Sequence, residues 1–229
     1  MALILNIDTS TTICSVALAK DGVLLAVQEQ DGNYTHAENL TVFIQSVLEN
    51  ASLKLSDIDA VAVSKGPGSY TGLRIGVSTA KGLCYSLNKP LIAVDTLQAL
   101  AYSVSVQKNE KVLYCPMLDA RRMEVYAAVF DASNNSVQST SAEIIDEHSF
   151  SNLLNNNIVY FFGNGAEKCK QILSQHKNAL FVDNAVTSAK NMITLSEKAY
   201  FNNTFEDIAY FEPFYLKDFV AGKKKKETF

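Results

Sequence analysis

Between Ser64 and Gly82 the sequence reads SKGPGSYTGLRIGVSTAKG, which holds five of the ten glycines in a 229-residue chain. It follows directly on the apolar run Ala60-Val61-Ala62-Val63. Proline fixes its own φ and glycine accepts backbone angles closed to other residues, so Gly66-Pro67-Gly68 predicts a sharp turn. Ser69 is a suitable N-cap for the helix that follows. A strand, a tight turn and a helix N-terminus are therefore expected in that order.

Two uses of this segment compete. Backbone N–H groups and the helix dipole at such a turn can cradle a phosphate. The spacing departs from the familiar forms, because Gly66 and Gly68 are followed by Gly72 and no Gly-Lys-Ser/Thr closes the loop. In the second reading the helix itself matters: Gly72, Gly76 and Ala80 recur every four residues and share one face. A face without bulk lets another helix approach closely. Leu73, Val77, Ala80 and Cys84 form the adjoining apolar stripe, and the same face can equally pack on the chain's own sheet.

Apolar residues make up 48% of the chain, enough for a real core in one large domain or two small ones. The formal charge is −4, and four positive charges sit together at Lys223–Lys226, so removing those four from −4 leaves a body at −8. No global attraction to nucleic acid follows; a lysine run is either solvated or an RNA-touching tail. Cys14, Cys84, Cys115 and Cys169 are widely spaced, with no C-x-x-C pair, and read as reduced thiols of a cytoplasmic protein. The N-terminus lacks a basic segment before its first charge at Asp8, and no run reaches the ~18 apolar residues of a membrane span. Neither a signal peptide nor membrane association is expected.

Strands are predicted at Leu3 to Asp8, Ile13 to Lys20 and Val23 to Glu29, with Asp21-Gly22 as a hairpin turn. A helix follows from about Thr35 to Ala51, with Thr35 as N-cap and Leu40, Phe43, Ile44, Val47 and Leu48 at helical spacing. After the glycine-rich unit come a strand at Leu91 to Asp95 and a helix from Thr96. The second half begins afresh with strands at Lys111 to Leu118 and Glu124 to Phe130, a polar loop from Ala132 to Ser141 and a strand at Tyr160-Phe161-Phe162. Helices are expected at Ala166 to Ser174 and, capped by Thr187 or Ser188, at Thr187 to Phe201. Hairpins followed by alternating helices and strands, twice over, imply two α/β domains of similar plan.

Candidate chemistry is sparse. Asp8 ends the first strand, before Thr9 and Ser10, and Asp119 holds a similar place in the second half. Two carboxylates facing across a cleft would suit a phosphotransferase or hydrolase that binds magnesium through oxygens. Turns also recruit Asp, Ser and Thr simply to satisfy backbone donors. His36, His148 and His176 lie far apart, none with a second histidine at i+3 or i+4, so no helix-borne metal site is expected. No Gly-x-Ser-x-Gly elbow supplies a serine nucleophile.

Taken together, Ile7-Asp8-Thr9-Ser10, His36-Ala37-Glu38-Asn39-Leu40, the block from Gly66 to Gly76, Asp119-Ala120-Arg121-Arg122-Met123-Glu124-Val125-Tyr126 and Pro213-Phe214-Tyr215-Leu216-Lys217 resemble the TsaB (YeaZ) family. The resemblance implies a two-lobed α/β fold of the actin-like ATPase type (acetate kinase, Hsp70, actin), each lobe a mixed sheet flanked by helices. The N-terminal lobe would be residues 1–105, joined by 205–229, and the C-terminal lobe 106–204. It also implies a role in forming threonylcarbamoyladenosine beside the tRNA anticodon, as the non-catalytic partner of the transferase TsaD. The ATPase TsaE would be a third protein, tRNA would be met through the complex, and the isolated chain would be a homodimer. In the catalytic relative two histidines four apart bind the metal, and the matching positions here are Thr96 and Leu100. No intrinsic cofactor is implied, although a nucleotide at the partner interface is compatible with the resemblance. Asp8, Thr9, Ser10, Asp119, Gly163 and Gly165 would be a residual nucleotide cleft. Family members associate through the first two helices of the N-terminal lobe. The partner-binding candidates are thus His36, Leu40, Phe43, Ile44 and Val47 on the first, and Gly72, Leu73, Gly76, Val77, Ala80 and Cys84 on the second.

Overall fold

The computed structural model describes residues 2–32, 36–108 and 112–217. The proposed Thr35 cap and the lysine run at 223–226 lie outside them. The first sheet is built from β1 (Leu3–Asp8), β2 (Ile13–Lys20), β3 (Val23–Asp31), β4 (Ala60–Gly66) and β5 (Leu91–Asp95) in the order β3-β2-β1-β4-β5. The β1–β2 and β2–β3 pairs are antiparallel, whereas β1–β4 and β4–β5 are parallel. The second sheet repeats the plan with β6 (Leu113–Asp119), β7 (Glu124–Phe130), β8 (Ser136–Ile144), β9 (Val159–Phe162) and β10 (Ala179–Val182), ordered β10-β9-β6-β7-β8. The chain is a two-lobed α/β protein, as the doubled pattern predicts. Asp8 and Asp119 close the equivalent strands β1 and β6.

Strand alternation decides what each face receives. On one side of the first sheet Leu5, Ile7, Val61, Val63 and Leu91 pack under α1 (His36–Asn50) and α2 (Tyr70–Leu87). On the other, Ile4, Ala60, Ala62, Ile92 and Val94 present mostly short side chains. Small residues there allow close approach by Met192, which ends a short 3-10 helix (Ala189–Met192), and by α6 (Ile193–Phe201). Ser188 caps that turn through its hydroxyl. Asn6, also on this face, accepts a 2.7 Å bond from Ser196 Oγ and is thereby satisfied inside the core.

Chain order and packing part company at two helices. Helix α3 (Thr96–Lys108) follows the first sheet in sequence, yet Leu97, Leu100, Ala101 and Val104 pack with Tyr114, Leu118, Phe130 and Phe162 of the second. Helix α6 follows the second sheet and packs on the first. The boundaries expected at 105 and 204 follow chain order; the apolar faces do not. Residues 206–215 also return to the first sheet: Glu206 N–H donates to Leu91 O at 2.9 Å, and Ile208 and Phe211 join its core.

Two strand expectations need correction. Residues 136–141, read as part of a polar loop from Ala132 to Ser141, belong to β8, an edge strand whose SVQSTSAEI sequence reflects its half-exposed position. The four-residue β10 escaped notice because it is too short to show alternation. The Asp21-Gly22 turn is as expected, both residues at positive φ.

A polar cluster pins the 3-10 turn to the sheet. Glu29 accepts hydrogen bonds from Ser188 Oγ at 2.6 Å, Ser15 Oγ at 3.1 Å and Lys190 Nζ at 3.2 Å. Partial burial alone would raise its pKa, but Ser188, Lys190 and Ser15 outweigh that and leave it below the usual glutamate value. A depressed pKa stabilises the fold above the unfolded value, and that contribution disappears as pH falls through the folded one. Glu29→Gln should therefore cost about 1–2 kcal/mol at pH 7, with the deficit closing under acidic conditions. Urea denaturation of both forms at neutral and acidic pH would check this; an equal deficit at both would show that charge is not the cause.

Candidate functional site

The turn after β1 is packed against the start of α2. Asp8, Thr9 and Ser10 are buried. Asp8 Oδ1 accepts from Ser10 N at 2.9 Å and Ser10 Oγ at 2.6 Å, an Asx-type turn closed on itself. Burial pushes the Asp8 pKa up, against the lowering effect of the Ser10 bonds. Ser10 O accepts Ser69 N at 2.6 Å, and Thr9 Oγ1 donates to Gly72 O at 2.7 Å.

The glycines explain that fit. A Cβ on Gly68 would strike Ser10, one on Gly72 would overlap the Thr9 carbonyl oxygen, and one on Gly76 would overlap the Thr9 hydroxyl. Gly66 sits at φ +109°, and a Cβ there would press on the Phe214 carbonyl. Close helix approach is thus the right physical idea, but what approaches is the chain's own β1–β2 turn. Ser69 caps α2 as expected, its Oγ accepting Gly72 N at 3.3 Å.

The equivalent place in the second lobe is closed in another way. Asp119, which is exposed, forms an ion pair with Lys168 and accepts Arg121 N at 2.9 Å. Gly163, at φ +99°, and Gly165 lie against the end of β6: Gly165 N donates to Met117 O at 3.0 Å, and Asn164 Oδ1 accepts Asp119 N at 3.0 Å. No hydrogen bond or ion pair joins Asp8 to Asp119 among the described residues. Beside the glycine turn, Pro67, Gly68, Tyr70, Tyr126 and Phe214–Lys217 line a cavity of about 30 Å³, far below the roughly 300–1,000 Å³ of ligand pockets. A larger cavity of about 240 Å³ lies between β8 and the short helix α4 (Ser151–Leu154), away from these residues.

The side chains of Thr96 and Leu100 are committed within the chain. Thr96 Oγ1 shares a 2.6 Å hydrogen bond with Ser64 Oγ, and Leu100 is buried in the second lobe's core. His36 begins α1 with Nε2–H donating to Thr11 O at 2.8 Å. Its Nδ1 is buried without a hydrogen-bond partner among the described residues.

All eleven partner-binding candidates are buried: His36, Leu40, Phe43, Ile44 and Val47 on α1, and Gly72, Leu73, Gly76, Val77, Ala80 and Cys84 on α2. In the isolated chain these side chains are covered by the chain itself. Apolar residues at helical spacing mark the side facing the sheet, and the sheet lies beneath both helices. The outward surface instead carries Thr41, Val42, Gln45 and Glu49 of α1, and Ser78, Gly82 and Tyr85 of α2. Val42 is 59% and Tyr85 83% exposed. A Cβ on Gly82 would meet nothing within 4 Å among the described residues, so no contact with them explains a glycine there.

Two mixed sheets in a shared order, each opening on a hairpin with a carboxylate at its first strand end, define a protein of the actin-like ATPase fold class. The family model described as "TsaD: tRNA N6-adenosine threonylcarbamoyltransferase" matches residues 30–225. A tRNA threonylcarbamoyladenosine biosynthesis protein TsaB from Haemophilus influenzae is 32% identical over 233 residues, covering 96% of both chains. YeaZ from Pseudomonas aeruginosa superposes with a TM-score of 0.81 at 25% identity, over 94% of this chain and 100% of that one. By contrast, a transferase from Kosmotoga olearia is 36% identical over only 115 residues, 44% of this chain and 35% of its own. The chain belongs to the TsaB (YeaZ) family.

Proposed function

We propose that this chain is a non-catalytic subunit of tRNA threonylcarbamoyladenosine biosynthesis that docks on a TsaD-type transferase through the outward faces of α1 and α2. A TsaE-type ATPase is the third component, and the same helices pair two copies when the transferase is absent. The observation that carries this reading is the filled hairpin: Asp8, Thr9 and Ser10 are buried against Ser69 and Gly72. A carboxylate that is desolvated and bonded to its own turn is poorly placed to hold magnesium or a phosphate-bound water. Thr96 and Leu100 offer no imidazole at the positions that bind metal in the transferase.

The rival reading is an autonomous nucleotide-dependent phosphotransferase or hydrolase using Asp8 and Asp119, and two measurements separate them. Reconstituted tRNA modification should require this chain, which should co-purify with the transferase. The chain alone, given magnesium and ATP, should turn over no faster than its Asp8→Asn variant. Sustained hydrolysis abolished by Asp8→Asn would replace the subunit reading with the enzyme.

A further inference from the structure

The β6–β7 turn breaks a local rule. Arg121 and Arg122 both sit in the left-handed region, at φ 73° and 50°. Such positions normally take Gly, Asn or Asp, and a longer side chain there costs stability. Both arginines are exposed, and neither has an ion pair or a side-chain hydrogen bond among the described residues. The carboxylates that could have neutralised them are engaged: Asp119 pairs with Lys168, and Glu124 pairs with Lys217. Lys168 Nζ also donates to Glu124 O at 2.7 Å, which holds that lysine against the base of the hairpin. Four cations therefore stand around two carboxylates, on a chain whose overall charge is −4.

We propose that the Arg121–Arg122 tip is a binding surface for the phosphodiester backbone of RNA. The proposal rests on the tRNA-modification reading above and adds a contact surface on this chain. Guanidinium groups match phosphate oxygens in fork geometry and keep their charge at any working pH. Contacts to phosphate give position and salt-dependent affinity without sequence readout, which suits a subunit that serves several tRNAs. A strained turn that keeps two unpaired arginines, where asparagine would fit the backbone better, is explained by a ligand for those side chains.

The test titrates the full chain, alone and bound to the transferase, with fluorescently labelled tRNA transcript at several salt concentrations. Two variants are compared: Arg121→Asn/Arg122→Asn, which suits the backbone and removes the charge, and Arg121→Lys/Arg122→Lys, which retains it. The Asn pair should weaken binding about tenfold at low salt and lower the salt slope by about one per arginine lost. Its melting temperature should be unchanged or higher. The Lys pair should recover most of the affinity. Unaltered affinity and slope in the Asn pair, or a wild-type chain and complex that bind no RNA at low salt, would overturn the proposal. So would equal competition by polyglutamate, which would assign the tip to an acidic protein segment. Co-purification with the transferase is read separately: its loss in the wild-type chain defeats the subunit reading, whereas its persistence beside unaltered RNA binding defeats only this inference.

Discussion

A chain carrying Gly72→Ala should lose about 2–3 kcal/mol of stability and melt roughly 4–12 °C lower. Three effects combine. The added methyl overlaps the carbonyl oxygen of Thr9, a backbone atom in the buried turn that follows β1. Making room for it separates α2 from the turn and loses the 2.7 Å bond from Thr9 Oγ1 to Gly72 O. Against this, alanine favours a helix over glycine by about 1 kcal/mol. At Gly82, which lies in the same helix and is open to solvent, only the last effect survives. Gly82→Ala should therefore gain about 0.5–1 kcal/mol. Two identical substitutions in one helix are expected to have opposite signs, and thermal melts of the two proteins read this directly. If Gly72→Ala melted with the wild type, the turn would not be packed as described. The same reasoning makes Gly76→Leu a folding lesion through the Thr9 hydroxyl, not a probe of partner binding.

Val42→Glu combined with Tyr85→Glu should weaken association with the transferase by roughly 100-fold or more, since buried aromatic anchors in interfaces commonly contribute 2 kcal/mol or above. Both side chains are largely exposed in the isolated chain, so circular dichroism and melting temperature should match the wild type. Leu40→Ala is the internal contrast. Its side chain is 1% exposed beneath the same helix, and truncating it should cost about 2–5 kcal/mol. Titration calorimetry against the transferase, alongside melts, separates an interface residue from a core residue on α1. Full affinity in the double variant would remove the outward faces of α1 and α2 from the interface.

Much of the architecture was legible because each signal had a local cause. The Gly66-Pro67-Gly68 turn, the Ser69 cap and the Asp21-Gly22 hairpin are set by residues adjacent in sequence. The repeat of hairpins followed by alternating helices and strands disclosed two lobes of one plan. What could not be read was direction. A stripe of Leu40, Phe43, Ile44 and Val47 shows which residues share a side, and the same pattern suits a sheet below or a partner above. The four-residue spacing of Gly72, Gly76 and Ala80 shows that something comes close, but Thr9 lies more than sixty residues earlier in the chain. The β8 segment failed for a related reason: an edge strand needs little apolar content, so SVQSTSAEI carries no core signature. Outward residues such as Val42, Gly82 and Tyr85 belong to no periodic pattern, and only their exposure and lack of neighbours identify them.

The crossing of α3 and α6 between the sheets bears on how the polypeptide can be divided. A fragment ending after β5 would lack Met192 and Ile193 and expose Ala60, Ala62 and Ile92 to water. One beginning at β6 would lack Leu97 and Leu100 and uncover Tyr114 and Phe162. Neither half therefore carries the whole of its own interior. Cut between α3 and β6, the two pieces should be insoluble apart and recover a native spectrum when refolded together, each completing the other's interior.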